Sequence, residues 1–121
     1  MSLRKLVSLG SLLAVCMALT CMGQGTGTIR YEVWEGIGGT AVTDLTGNAN
    51  FPENPSWDDE LALFESPTNM ADNFGGRLYG WLHPTETADY TFWLAADDGA
   101  EVWLSTDDDP ANAVVIAQVL G

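Results

Sequence analysis

The stretch YTFWLAADDGAEVWLS at residues 90–105 decides the fold of this chain. Aromatic and apolar residues alternate on both sides of Asp97-Asp98-Gly99, and such runs around a short polar turn are typical of a β-hairpin. We therefore predict strands at 89–96 and 100–105, with the two aspartates at the tip. Asp and Gly are ordinary turn residues, but paired carboxylates on rigid strands also suit a hard cation such as calcium. The tip is thus either a plain turn or a metal site.

Short alternating runs recur along the rest of the chain, and we predict further strands at 29–35, 76–83 and 113–119. Frequent turn signals separate them, and strands at this spacing favour an all-β, antiparallel β-sandwich or barrel. The acidic stretch WDDE at residues 57–60 is interpreted as a loop or a single helical turn. The apolar residues expected to anchor that stretch in the core are Leu61, Leu63 and Phe64.

The N-terminus has the pattern of a secretory signal peptide, which we assign to residues 1–23. A basic start precedes an apolar core at 6–19, which is shorter than the roughly 20 residues of a membrane span. The remaining residues, 24–121, allow one domain at most. We expect a secreted or cell-surface protein, with no membrane insertion after signal cleavage. Lipidation of Cys21 is the alternative to a simple cleaved signal, and in either case the mature chain has no cysteine pair for a disulfide.

The chain beyond the signal peptide is strongly acidic. Arg30 and Arg77 are its positive residues, whereas all 17 acidic residues of the sequence lie in this part. Such a surface repels the phosphates of nucleic acids and of anionic lipid headgroups, so we expect no nucleic-acid partner. Because positive charges are so few, Arg77 is expected to pair with an acidic neighbour such as Asp72.

Several motifs follow one another in an order that is specific as a whole, although each motif alone is degenerate. They are YEVWEG at 31–36, FPENP at 51–55, GRLYGWL at 76–82, the hairpin at 90–105 and LSTDDDPAN at 104–112. From about residue 29 to the C-terminus, this series resembles the PA-fourteen domain, the lectin-like β-sandwich first described in a bacterial toxin protective antigen. Because domains of that family continue with further strands, the resemblance implies the N-terminal portion of such a domain, incomplete on its C-terminal side.

The resemblance also implies a site. In the fungal adhesin branch of the family, a consecutive aspartate pair binds calcium, and the calcium binds sugar hydroxyls. Carried over by position, Asp97 and Asp98 would be the calcium ligands here, and the partners would be carbohydrates or glycoprotein glycans. A later loop completes the calcium site in that branch, and this sequence ends before it. We therefore expect weak calcium binding, since calcium takes about six to eight oxygen ligands.

The sequence contains five tryptophans, which is many for its length. Aromatic residues at alternating strand positions are usually core residues, and we expect at least three of the five to be buried. Trp81 and Trp57 have polar neighbours and are the candidates for stacking on a sugar. The remaining acidic run, at residues 107–109, lacks the spacing of a calcium-binding loop and is interpreted as a solvated turn.

Nothing in the sequence predicts catalysis. His83 is the sole histidine, and no cysteine accompanies it in the mature chain, so neither a zinc site nor a Cys–His dyad can be built. We predict a secreted, non-catalytic carbohydrate-binding or adhesion module that is part of a larger surface or polysaccharide-acting protein. Two alternatives remain open: a structural or protein-interaction module without sugar binding, and a non-catalytic insert of a glycoside hydrolase.

Overall fold

The computed structural model describes residues 27–121, so the predicted signal peptide and Cys21 lie outside the described residues. Strands dominate the described chain, with one short α-helix and one 3₁₀-helix. In chain order the elements are β1 (Ile29–Glu35), α1 (Val42–Thr46), β2 (Trp57–Leu61), β3 (Phe74–Tyr79), β4 (Ala100–Ser105), the 3₁₀-helix (Pro110–Asn112) and β5 (Ala113–Val119).

The first sheet has three antiparallel strands in the order β2-β1-β3. In its register Ile29 lies opposite Leu61, and the next residue of β1, Arg30, lies opposite Tyr79 on the other side. The start of β1 and the ends of β2 and β3 therefore meet at one end of the sheet, which we call the Ile29 end. Connecting residues from three separate parts of the chain are brought together there.

One face of this sheet is centred on Tyr31 and Val33, which are fully buried. The Tyr31 ring meets the edge of the Trp57 ring at a centroid distance of 5.7 Å. Gly76 allows this packing, because a Cβ at that position would lie 2.9 Å from the Tyr31 ring. Burial of the phenol raises the pKa of Tyr31 above its ordinary value. The face is therefore packed around one aromatic side chain of the central strand.

The opposite face packs against α1 through a small core formed by Trp34, Ile37 and Leu45, with Phe51 beside it. The indole N–H of Trp34 donates to a backbone carbonyl at a distance of 3.1 Å, so its polar atom is satisfied inside the core. The helix begins where the Asp44 carboxylate accepts the backbone N–H of Ala41, at 3.0 Å. This five-residue helix was not predicted, since it is too short to produce a helical pattern in the sequence.

A buried ion pair crosses the same face. Glu32 on β1 is buried, and its carboxylate accepts hydrogen bonds from Arg77 on β3, the shortest of them 2.6 Å. The Tyr79 hydroxyl donates to the same carboxylate at 3.0 Å. Arg77 pairs with an acidic residue as predicted, but that residue is Glu32 rather than Asp72, because register places Glu32 directly opposite Arg77 across the sheet.

The Arg77 guanidinium is also surrounded by aromatic rings. Its central carbon lies 5.6 Å from the Trp34 ring, 5.2 Å from the Phe51 ring and 4.8 Å from the Tyr79 ring. These distances are within the range of cation–π attraction. The arginine therefore links the ion pair to the apolar core.

The second sheet pairs β4 with β5 in antiparallel register, with a bulge between Val102 and Trp103. The turn between the two strands includes the 3₁₀-helix. At the start of β4, the backbone N–H of Gly99 donates to the Thr40 carbonyl at 2.7 Å. This bond attaches the second sheet to the segment that leads into α1.

The all-β, antiparallel architecture is as predicted, and the strands at 29–35, 100–105 and 113–119 are confirmed. Within residues 27–121 the strands form two open sheets and no closed barrel. The strand predicted at 76–83 lies earlier, at Phe74–Tyr79.

Two other local predictions are wrong. Residues 57–60 belong to β2 rather than to a loop or a helical turn. Arg30 on the neighbouring strand pairs with Asp58 at 2.6 Å and with Glu60 at 3.6 Å. These ion pairs offset the negative charge of this edge strand. Residues 89–96 form no strand, since nothing pairs with them, and an alternating pattern is not sufficient without a partner strand.

Replacing Arg77 by alanine is expected to lower the free energy of unfolding by about 2–3 kcal/mol, because it leaves the buried Glu32 carboxylate without its charged partner. Arg30→Ala is the matched control. Its ion pairs are more exposed, with side chains about 40–50 % accessible, so a loss below about 1 kcal/mol is expected. Urea denaturation measures both, and equal losses would contradict the central role of the Glu32–Arg77 pair.

Alkaline pH is expected to remove the contribution of Tyr79 to the stability of the folded protein. Its hydrogen bond to the Glu32 carboxylate raises the pKa of Tyr79 above its ordinary value of 10.0, with burial and the negative charge of Glu32 acting in the same direction. A raised pKa means that the stabilisation is complete below the unfolded value and is lost as pH rises through the folded value. Tyr79→Phe should therefore be less stable than the wild type at pH 8, with the gap closing above pH 10. A gap that is independent of pH would refute this assignment.

Candidate functional site

An open groove of about 330 Å³ lies at the Ile29 end of the first sheet. Its walls come from the chain before and at the start of β1, the chain after β2 and the chain after β3. The lining residues are Gly27, Thr28, Ile29, Ala62, Leu63, Phe64, Trp81 and His83. The antiparallel register brings these three segments together, although more than 50 residues separate the first from the last in the sequence. We call this surface the Ile29-end groove.

Large apolar side chains in this groove face solvent. Leu63 is 68 % exposed, Phe64 is 62 % exposed and Trp81 is 66 % exposed. The prediction that Leu63 and Phe64 are anchored in the core is therefore wrong, because β2 ends before them at Leu61. Exposed apolar residues that cluster in a concave surface are typical of binding sites.

The two tryptophans predicted to stack on a sugar lie at different ends of the sheet. Trp81 lines the Ile29-end groove. Trp57 lies opposite Val33, four residues further along β1 than Ile29, and its indole N–H donates to the Glu35 carboxylate at 3.2 Å. The structure therefore places Trp57 against the sheet and leaves Trp81 available to a ligand.

Fewer tryptophans are buried than the sequence predicted. Trp34 is buried, whereas Trp93 is 91 % exposed and Trp103 is 57 % exposed. With Trp81 also exposed, fewer than three of the five tryptophans belong to the core. The expectation that at least three are core residues was wrong, because the segment containing Trp93 is not a strand and the faces of the β4–β5 sheet are open.

Asp97 and Asp98 lie in an exposed bend immediately before β4. The next residue, Gly99, is held by its hydrogen bond to Thr40, so the bend is attached to the segment between β1 and α1. Within residues 27–121, no group of three or more acidic, histidine or cysteine side chains is placed to hold a metal ion. The two carboxylates supply fewer oxygens than the about six to eight that calcium takes. Their role as calcium ligands stays a prediction.

The acidic run at residues 107–109 forms a hydrogen-bonded turn between β4 and the 3₁₀-helix. The Asp107 carboxylate accepts the backbone N–H of Asp109 at 2.9 Å and the side-chain amide of Asn112 at 2.9 and 3.1 Å. These bonds stabilise the ionised form and lower the pKa of Asp107 below its ordinary value, the bond from Asp109 having the largest effect. The carboxylate oxygens of Asp107 therefore act as hydrogen-bond acceptors within the turn.

His83 belongs to the groove, although the sequence analysis assigned it neither a zinc-binding nor a catalytic role. Its exposed imidazole lines the groove together with Trp81, two residues earlier. The sequence signal that could have found it is the short spacing of Trp81 and His83 directly after a strand. No helix within residues 27–121 is long and apolar enough to cross a membrane.

Comparison with known proteins finds similarity to segments of much larger proteins. The chain is 37 % identical over 94 residues to N-acetyl-beta-glucosaminyl-glycoprotein 4-beta-N-acetylgalactosaminyltransferase 1 from Mus musculus, which covers 77 % of this chain and 9 % of that protein. It is 28 % identical over 101 residues to fibrocystin from Canis lupus familiaris, covering 84 % of this chain and 2 % of fibrocystin. Fibrocystin from Mus musculus is 26 % identical over the same length.

The chain thus spans less than a tenth of the length of each of these relatives. No protein-family profile and no solved structure matches the chain. Membership of the PA-fourteen family therefore stays a prediction from the motifs. What the comparisons support is coarser: the chain is similar to a segment of an enzyme whose name describes a glycosyltransferase that acts on a glycoprotein.

Proposed function

We propose that this chain is a non-catalytic carbohydrate-binding module of a larger secreted or cell-surface protein, and that the Ile29-end groove holds the sugar. The observation that carries this proposal is the pair of exposed aromatic side chains, Phe64 and Trp81, in one concave surface. The C–H face of a pyranose ring is apolar and flat, so an aromatic ring can cover it, while the sugar hydroxyls remain in contact with water.

The composition of the groove agrees with such a ligand. Small-molecule sites are concave and mostly apolar, with a few polar groups that orient the ligand. Here the large apolar side chains are those of Ile29, Leu63, Phe64 and Trp81, and Thr28 and His83 add polar side chains. The similarity to a segment of a glycoprotein-directed glycosyltransferase supports glycoprotein glycans as the ligand class.

A second candidate function, a protein-interaction module, has an observation of its own. Apolar residues of the β4–β5 sheet are exposed, among them Trp103, Val114 and Ile116. Exposed apolar surface of this kind is typical of protein interfaces. Since this sheet is distinct from the Ile29-end groove, variants in the two places separate the two functions.

Replacing Trp81 by alanine is expected to weaken glycan binding about tenfold or more, because the ring that covers the sugar face is lost. The free energy of unfolding should change by less than about 0.5 kcal/mol, since the side chain is exposed. An array of glycoprotein glycans followed by calorimetry on the bound glycans measures the effect.

Trp103→Ala is the matched control for this experiment, because it removes another exposed tryptophan, which lies outside the groove. Its glycan affinity should equal that of the wild type. The absence of binding to every glycan on the array would refute the carbohydrate proposal and favour the protein-interaction module.

We further propose that Asp97 and Asp98 bind calcium weakly. Adjacent carboxylates repel each other, and a divalent cation relieves this repulsion. The bend is attached to the segment between β1 and α1, and none of its residues lines the groove. The two proposals therefore concern different residues and can be tested separately.

Calcium is expected to raise the melting temperature of the wild type, because a ligand that binds only the folded state stabilises it by mass action. The double variant Asp97→Ala/Asp98→Ala should lose this increase and keep its fold. The matched control is Asp58→Ala/Asp59→Ala, which removes two adjacent carboxylates from β2. If calcium raises the melting temperature of all three proteins equally, the aspartate pair is an ordinary turn and the acidic surface explains the effect.

A further inference from the structure

The Ile29-end groove differs from the rest of the surface in its charge. The protein has 17 acidic residues and a formal net charge of −13, yet no acidic residue lines the groove. The side chains there are apolar except for those of Thr28 and His83. The groove is therefore an uncharged, mostly apolar recess in an acidic protein.

This lining limits the sugars that fit. A sugar that carries only hydroxyl groups offers no apolar substituent to the side chains of Ile29 and Leu63, and its water-exposed hydroxyls gain little from an apolar lining. The lining also offers no carboxylate and no side-chain amide to hold a hydroxyl. An acidic sugar is disfavoured as well, because the negative charge of the protein repels it over a screening length of about 8–10 Å.

An acetamido group in place of one hydroxyl fits this lining better, because it adds apolar surface without adding charge. It is uncharged, its methyl group can be buried against apolar side chains, and its amide can bond to backbone groups or to an imidazole. The groove provides Leu63 and Ile29 as apolar contacts and the His83 ring as a polar one.

The spacing of the walls is also suitable. Phe64 follows β2 and Trp81 follows β3, and these strands flank β1 on its two sides. Neighbouring strands are about 4.8 Å apart, so the ends of β2 and β3 that lead into the two walls lie on the order of 10 Å from each other across Ile29. A single sugar ring with its substituents can lie between them.

We propose that the Ile29-end groove selects an N-acetylhexosamine residue, with the sugar ring on Trp81 and the acetamido methyl group against Leu63 and Ile29. This inference rests on the proposed carbohydrate-binding function and adds the class of sugar. The acetamido group is the feature that the groove recognises, because it is the part of the ligand that matches an apolar lining free of carboxylates.

The test compares two trisaccharides with the same linkage, one of N-acetylglucosamine and one of glucose. Calorimetry with the purified protein should show binding of the acetylated trisaccharide about three- to tenfold tighter, as expected for burial of one methyl group with a partner for the amide. Leu63→Ala should bring the ratio of the two affinities toward one, and Trp81→Ala should weaken both. Trp103→Ala, outside the groove, should leave the affinities and their ratio unchanged.

Equal binding of the two trisaccharides would overturn the inference and leave the carbohydrate function standing, as would binding only to array glycans that contain no N-acetylhexosamine. Binding to neither trisaccharide nor to any array glycan would overturn the proposed function itself. Sedimentation without sugar tests a second copy of the chain as the occupant of the groove. Self-association that Trp81→Ala abolishes would overturn the inference in favour of that copy.

Discussion

The paired charges of Glu32 and Arg77 are the constraint on which the first sheet depends. A carboxylate with almost no solvent contact is stable only with a charged partner and further hydrogen bonds, and Arg77 and Tyr79 supply both from the neighbouring strand. A slip of β3 by one residue would move both donors to the other face and leave the Glu32 carboxylate unpaired. The ion pair therefore favours one register between β1 and β3.

The register between β1 and β3 also determines the aromatic packing and the position of the groove. With β3 fixed, Gly76 lies beside the Tyr31 ring, and Arg77 lies among the rings of Trp34 and Phe51. At the Ile29 end of the sheet, the same register brings Trp81 next to the start of β1. The surface that we assign to ligand binding is thus a consequence of strand pairing, and its residues need no contacts among themselves to stay together.

The two sheets differ in how completely they are covered. The central strand of the first sheet is buried on both faces, while the strands of the second sheet expose Trp103 and several β-branched residues. Mobility and binding of other molecules are both favoured where apolar side chains lack a covering layer. The protein therefore combines a covered sheet that positions a groove with a two-stranded sheet that has apolar surface available for contact.

The sequence alone determined the class of the fold, since the alternating patterns at β1, β4 and β5 are strong enough to specify antiparallel strands. It also indicated Trp81 as a residue of the candidate site. It could not reveal that WDDE is a strand, that Arg77 pairs with Glu32, or that Phe64 joins Trp81 in a groove. These features depend on which strands pair and in which register, and pairing between distant segments leaves no periodic signal within either segment.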